Sequence, residues 1–298
     1  MTEYIDDEDV PNNDNGVTGG PPEAGWPYAV KPAWIRELLD LWERDKLVTL
    51  LLELATDRMA QDIANPTTRR RTLLQIARYF VPHAGVGRLR RTVSPNVWAV
   101  HSQLFSAQVL APAYLVHIAG SHNMARAVIC LLHEAYAPGD SVELSAVRSH
   151  LFERFGSRRT VRDSAGALLR TLEHFGVLAR AGRLGDYRYA SRLSVPLETF
   201  PLLVWAWLQA QPAGTETGVI DPAAFAADPL LTPIDAASYA DHWDCYTDSL
   251  WTLEVRDERQ VAVLRHTDSA AFLRTLFNLL SSHPKWPAVK KQFPPHPD

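Results

Sequence analysis

Residues 160–176, TVRDSAGALLRTLEHFG, decide how this chain reads. Val161, Ala165, Leu168, Leu172 and Phe175 recur at steps of four and three, so one side of a helix from Thr160 to Phe175 is apolar and must face a core. Thr160 and Asp163 have the spacing of a capping box at its start, and Gly176 suits the left-handed residue that ends it. At about 100° per residue the opposite side carries Arg159, Arg162, Gly166, Arg170 and Glu173. Three guanidinium groups therefore share a solvent face with a glycine that lets another backbone come close.

Upstream, Ala127, Val128, Leu131, Leu132 and Ala135 predict a helix over Met124 to Tyr136, stopped by Pro138-Gly139-Asp140. Val142 and Leu144 around Glu143 read as a very short strand. Ser145 is expected to cap a further helix that buries Val147, Leu151, Phe152 and Phe155 and ends at Gly156. Downstream, Val177 to Ala181 and Asp186 to Ser191 alternate as two strands around Gly182-Arg183-Leu184-Gly185. Arg183 stands at the tip of that hairpin, with Arg180, Arg188 and Arg192 along its sides.

Helix, strand, helix, helix, hairpin resembles the winged helix-turn-helix superfamily, and Leu169 to Leu178 is similar to the end of its recognition helix running into the wing. The resemblance covers roughly a quarter of the chain and rests on pattern; no motif identifies a family below the superfamily. It implies that the helix from Thr160 enters a DNA major groove while the wing touches backbone or minor groove. Arg158, Arg159, Arg162, Arg170, Arg180, Arg183 and Arg188 are the contacts it implies. Glu173 departs from the pattern, because a carboxylate on that face repels phosphate. The competing reading is a winged helix used for packing or protein contacts, its arginines merely solvated.

The chain has 298 residues, 46% hydrophobic and 21% charged, with a formal net charge of −4. Charge is unevenly placed. Residues 1–26 hold Glu3, Asp6, Asp7, Glu8, Asp9, Asp14 and Glu23 and no Lys or Arg, whereas Ile63 to His133 contains no acid at all. That middle span supplies a second set of candidate phosphate contacts, Arg69, Arg70, Arg71, Arg88, Arg90 and Arg91. The last hundred residues turn acidic again, so a basic centre lies between acidic ends. Cys130 and Cys245 are far apart and form no CxxC pair, which supports neither a zinc finger nor a disulfide framework. With no basic-then-apolar leader and no apolar run of about 18 residues, a cytoplasmic chain without a membrane span is expected.

The fold class expected is mainly α with minor β. Residues 1–26 read as a disordered acidic tail, inert, competing with nucleic acid for the basic middle, or docking on a basic partner. A helical basic subdomain occupies 27–120, the winged segment 121–196, and a helical region with a β-hairpin 197–298. In the last of these, Phe200 to Ala210 reads as a core helix, Leu250–Arg256 and Gln260–His266 as hairpin strands, and Asp268 with Ser269 as a helix cap. His101, His117 and His122 lack metal-site spacing and read as packing or surface residues.

No phosphate loop, GxSxG or HExxH occurs. Asp241, His242, Asp244, Cys245 and Asp248 are metal-compatible side chains in what reads as a solvated acidic loop. An acid at Asp221, Asp241 or Asp244 followed by Glu254-Val255-Arg256 faintly matches a Mg²⁺ nuclease pattern, but Arg256 stands where that pattern has a lysine and cannot act as a base. The sequence thus predicts a non-enzymatic protein without cofactor, metal or small-molecule substrate. Its expected partner is double-stranded DNA, with other protein subunits or a second copy of itself, as a regulator or as a subunit of a larger DNA-acting complex, phage defence included. The alternative is a protein-interaction scaffold.

Overall fold

The computed structural model describes residues 25–93, 96–182, 185–212, 218–287 and 289, the side chains of Arg88 and Ser269 excepted. Helix dominates among them, with three small antiparallel sheets. The chain opens with α1 (Pro32–Asp40), α2 (Val48–Arg58) and α3 (Pro66–Phe80). Asn65 starts α3 by accepting the Thr68 N–H while Pro66 fills the first helical position, where a missing N–H costs nothing. A two-stranded hairpin follows, β1 (His83–Ala84) with β2 (Arg91–Thr92). Then come α4 (Val97–Leu104), capped by Asn96, and α5 (Ala107–Ser121), capped by Ser106. His122 ends α5 and, through Nδ1, accepts the Ala125 N–H to begin α6 (Asn123–Ala135). Together α5 and α6 are apolar enough for a span, but they meet at 112°; no single helix among the described residues is long and apolar enough to cross a membrane.

The central segment continues as β3 (Ser141–Glu143), α7 (Leu144–Phe155), α8 (Arg159–Phe175), β4 (Leu178–Arg180) and β5 (Asp186–Tyr189). Its sheet has the order β3-β5-β4, with Val142 opposite Tyr187 and Leu178 opposite Tyr189. Val161, Ala165, Leu168, Leu172 and Phe175 are all buried, and Gly176 ends α8 at φ 85°. The N-terminal caps differ from the sequence reading. Helix α7 begins at Leu144 with no side-chain cap, Ser145 instead donating to Glu143, and α8 begins after Arg158 with Thr160 already inside the first turn.

Beyond a short 3-10 turn lie α9 (Phe200–Gln209), β6 (Val219–Ile220), α10 (Pro222–Ala227), α11 (His242–Cys245), β7 (Trp251–Arg256), β8 (Arg259–Leu264) and α12 (Ser269–Leu279). The second three-stranded sheet has the order β6-β8-β7. Asp257 and Glu258 turn between β7 and β8 with φ of 48° and 64°, the two-residue left-handed geometry that matches strand twist. Asp268 caps α12 by accepting the Ala271 N–H. One continuous cluster of buried apolar side chains runs from Trp26 to Val289, through residues 120 and 196 without interruption. In it Trp98 packs against Trp205, and Trp207 donates to Asp228 at 2.7 Å.

Candidate nucleic-acid interface

A strap holds α8 in place. Trp26, which the sequence reading assigned to the tail, is buried: its backbone N–H donates to Ser164 Oγ at 2.7 Å and its indole N–H to Thr171 Oγ1 at 3.2 Å. The Val30 N–H donates to the same Thr171 hydroxyl at 3.1 Å. On the other side of the strap Gln75 of α3 brackets Tyr28, accepting its N–H and donating to its carbonyl. Ser164 and Thr171 also donate their hydroxyls to Thr160 and Ala167 carbonyls one turn back, so each hydroxyl is used in both directions. Residues Trp26 to Lys31 thus lie between α3 and α8, and α8 is covered on two sides instead of one.

What remains uncovered is a narrower arc of about a third of the helix circumference. It contains Arg159, Arg162, Asp163, Gly166, Arg170 and, at its edge, half-buried Glu173. The Arg159 side chain is 85% exposed and Arg162 52%; both lie near the single Asp163 carboxylate, at 3.5 and 3.7 Å. Such exposed pairs are worth about 0–1 kcal/mol and exchange readily with another anion. Arg170 donates to the Gly166 carbonyl one turn back, and Arg158 to the Phe155 carbonyl. A Cβ built on Gly166 meets nothing within 4 Å, so the middle of the arc is open.

The sheet divides the hairpin arginines between two faces. Arg180 sits opposite Tyr187, and its guanidinium reaches Glu173 at 2.8 Å. Arg188 sits opposite Ala179 and Ser141, one residue out of phase, and so points to the other face, away from α8. Arg183 lies outside the described residues. Sequence reasoning missed Lys31, which joins Arg170 and Arg180 in disfavouring the protonated form of His174; desolvation is the larger cause of that depressed pKa. Lys31, at the end of the strap, is itself paired with Asp62 at 3.6 Å.

The second set is less uniform. Arg70 and Arg71 are exposed on α3, Arg71 pointing at the Tyr28 hydroxyl 3.5 Å away. Arg69 is half-buried, with Nε enclosed and unpaired. Arg91 donates to the Asp45 carbonyl at 2.6 Å and Arg90 is half-buried, so both help seat the β1–β2 hairpin on the start of α2. The two sets are close in space. Arg71 points at Tyr28, two residues along the strap from Trp26, whose N–H is bonded to Ser164 of α8, and Tyr79 in the last turn of α3 packs against the Trp26 ring.

No protein-family model matches this chain, and no curated protein matches it. A solved crystal structure does. It belongs to a protein called SspB, similar to this chain with a TM-score of 0.52 over 90% of this chain and 92% of that one, at 13% identity. At such identity the likeness speaks for the overall fold alone.

The other sequence candidates are engaged elsewhere. His242 is bonded through Nε2 to the Val195 carbonyl, Asp248 pairs with Arg265, and Cys245 lies against the Asp241 carbonyl. Among the described residues no three metal-binding side chains converge. Asp221 caps α10, and Glu254 is paired with Arg256 at 2.8 Å. His101 and His117 are held to the Val97 and Tyr79 carbonyls, and burial lowers both pKa values to about 4. A cavity of about 10 Å³ between α5, α6 and α8 is apolar and has room for a single water at most.

Proposed function

We propose that this protein binds double-stranded DNA, with residues 121–196, α6 to β5, acting as a winged helix-turn-helix whose helix α8 lies in the major groove. The observation that carries the reading is the uncovered arc of α8. There Arg159, Arg162 and Arg170, with Arg158 just before the helix and Arg180 of β4 beside it, stand against two carboxylates among the described residues, Asp163 and Glu173, around an open Gly166. Guanidinium groups suit bidentate phosphate contacts, and a glycine at the centre lets the sugar-phosphate backbone come close. Arg70 and Arg71 of α3 extend the same footprint past the strap. Non-catalytic binding of this kind fits a regulator or the DNA-contacting subunit of a larger assembly.

The test is fluorescence anisotropy on a duplex of about 20 base pairs at two salt concentrations, comparing the wild-type chain with Arg159→Ala/Arg162→Ala/Arg170→Ala. Each lost phosphate contact lowers the salt slope by about 0.9, so the triple variant should bind weakly and with a slope reduced by two or three. Equal affinity and slope in the two proteins would remove the reading. A docking module is the second reading, favoured by exposed Leu50 and Leu54 on α2; it predicts association with protein that is insensitive to salt.

A further inference from the structure

The strap begins beside the exposed arginines of α8. The Trp26 N–H is bonded to Ser164 Oγ, and a Cβ built on Gly25 would lie 2.9 Å from the same oxygen and against Thr160. On a helix turning by about 100° per residue, Thr160 and Ser164 border the uncovered arc on the side of Asp163 and Arg170. Residues 1–24 lie outside the described residues, and the peptide bond from residue 24 to Gly25 tethers them here.

The charge of that segment is the opposite of the arc's. It holds seven carboxylates, Glu3, Asp6, Asp7, Glu8, Asp9, Asp14 and Glu23, and no Lys, Arg or His; five of the seven fall between Glu3 and Asp9. On the arc, Arg159 and Arg162 share the single Asp163 carboxylate, at 3.5 and 3.7 Å, and Arg170 donates to a backbone carbonyl. Positive charge is therefore in excess there and open to a further anion. Exposed ion pairs are individually weak, but several carboxylates on one tether meet the arc intramolecularly and need no tight binding of their own. Reach is ample. The stretch from Asp9 to Gly25 extends to at most about 55 Å, while Arg159 to Arg170 covers about 17 Å of helix.

We infer that the acidic segment from Glu3 to Asp9 is an intramolecular competitor for the arginine arc of α8, which a nucleic acid must displace in order to bind. This rests on the DNA-binding reading above and adds its regulation. A duplex, with one phosphate charge per about 1.7 Å of axis, is the denser polyanion and displaces the segment, at the cost of the contacts the segment gives up. Binding at low salt is weakened most, because there the competitor is strongest.

The test compares the full chain with a variant of the same length, Glu3→Gln/Asp6→Asn/Asp7→Asn/Glu8→Gln/Asp9→Asn. Anisotropy on the duplex of about 20 base pairs should show the neutralised variant binding about five- to thirtyfold more tightly at low salt, the two proteins converging as salt rises. Without DNA, the Nε–Hε nuclear magnetic resonance signals of Arg159, Arg162 and Arg170 should differ between the two proteins. The same neutralisation added to Arg159→Ala/Arg162→Ala/Arg170→Ala should gain little or nothing. Duplex binding with equal affinity in the full chain and the neutralised variant overturns the competitor and leaves the α8 interface standing. So do guanidinium signals that are unchanged on α8, or that shift only at Arg70 and Arg71. A gain that persists in full in the arginine variant would be general charge repulsion, and overturns the competitor too. Absence of duplex binding by both the full chain and the neutralised variant overturns the DNA-binding reading and the competitor with it.

Discussion

Arg180 of β4 reaches back across the wing to Glu173 of α8, its Nε 2.8 Å from Oε1. The carboxylate that departs from the expected pattern on the exposed face is thus neutralised by the strand that follows it, and one guanidinium is occupied in doing so. The second oxygen of Glu173 is buried without a hydrogen-bond partner.

Replacing that acid tests how the face works. Glu173→Gln removes a negative charge and frees Arg180, so duplex affinity at low salt should rise about three- to tenfold, the gain shrinking as salt screens it. Anisotropy titrations at two ionic strengths measure this. Weaker binding by Glu173→Gln would mean that the Arg180 contact positions the wing.

The strap has a thermodynamic signature. Trp26→Ala empties a site filled by a fully buried indole and removes its hydrogen bond to Thr171, which should cost about 3–5 kcal/mol of unfolding free energy. Trp26→Phe keeps most of the packing but gives up the indole hydrogen bond, for about 1 kcal/mol. Urea unfolding followed by circular dichroism separates the two variants. Equal midpoints for Trp26→Ala and the wild type would show that the strap does not brace the fold.

Stability should fall on mild acidification. His101 is buried and His117 half-buried, both with pKa lowered from 6.5 to about 4 by desolvation, so between those values the unfolded chain takes up protons that the folded chain refuses. Their contribution is intact above about pH 6.5 and declines as pH falls to about 4, each ring accounting for roughly 2 kcal/mol by pH 5. Urea midpoints at pH 7.5 and 5 report the loss. In His117→Gln the difference between the two midpoints should shrink; an unchanged difference would place the titration elsewhere.

The stripe of α8 was legible because Val161, Leu168 and Phe175 repeat at helical spacing and a helix with such a face has one way to bury it. The strap was not. Its partners on α8 are Ser164 and Thr171, small polar residues that carry no hydrophobic signal, and the bond from Trp26 to Ser164 spans 138 positions of sequence. An isolated aromatic pair, Trp26 and Tyr28, after an acidic and glycine-rich stretch was the available hint. The wing arginines divided for a different reason. Which face a strand residue takes depends on the register of its neighbours, and only the pairing of Tyr187 with Arg180 shows that Arg188 looks away. Likewise Leu144 and Arg159 begin their helices without the side-chain caps that serine and threonine nearby had suggested.

Gly25 is pinned beside the first turn of α8, a Cβ built on it lying 3.1 Å from the Thr160 carbonyl. A bulky group carried by residue 25 itself, in a chain shortened to begin there, would stand beside the proposed DNA-contacting arc and obstruct it, whereas a cleavable label at that position would serve as a local reporter of what approaches the helix.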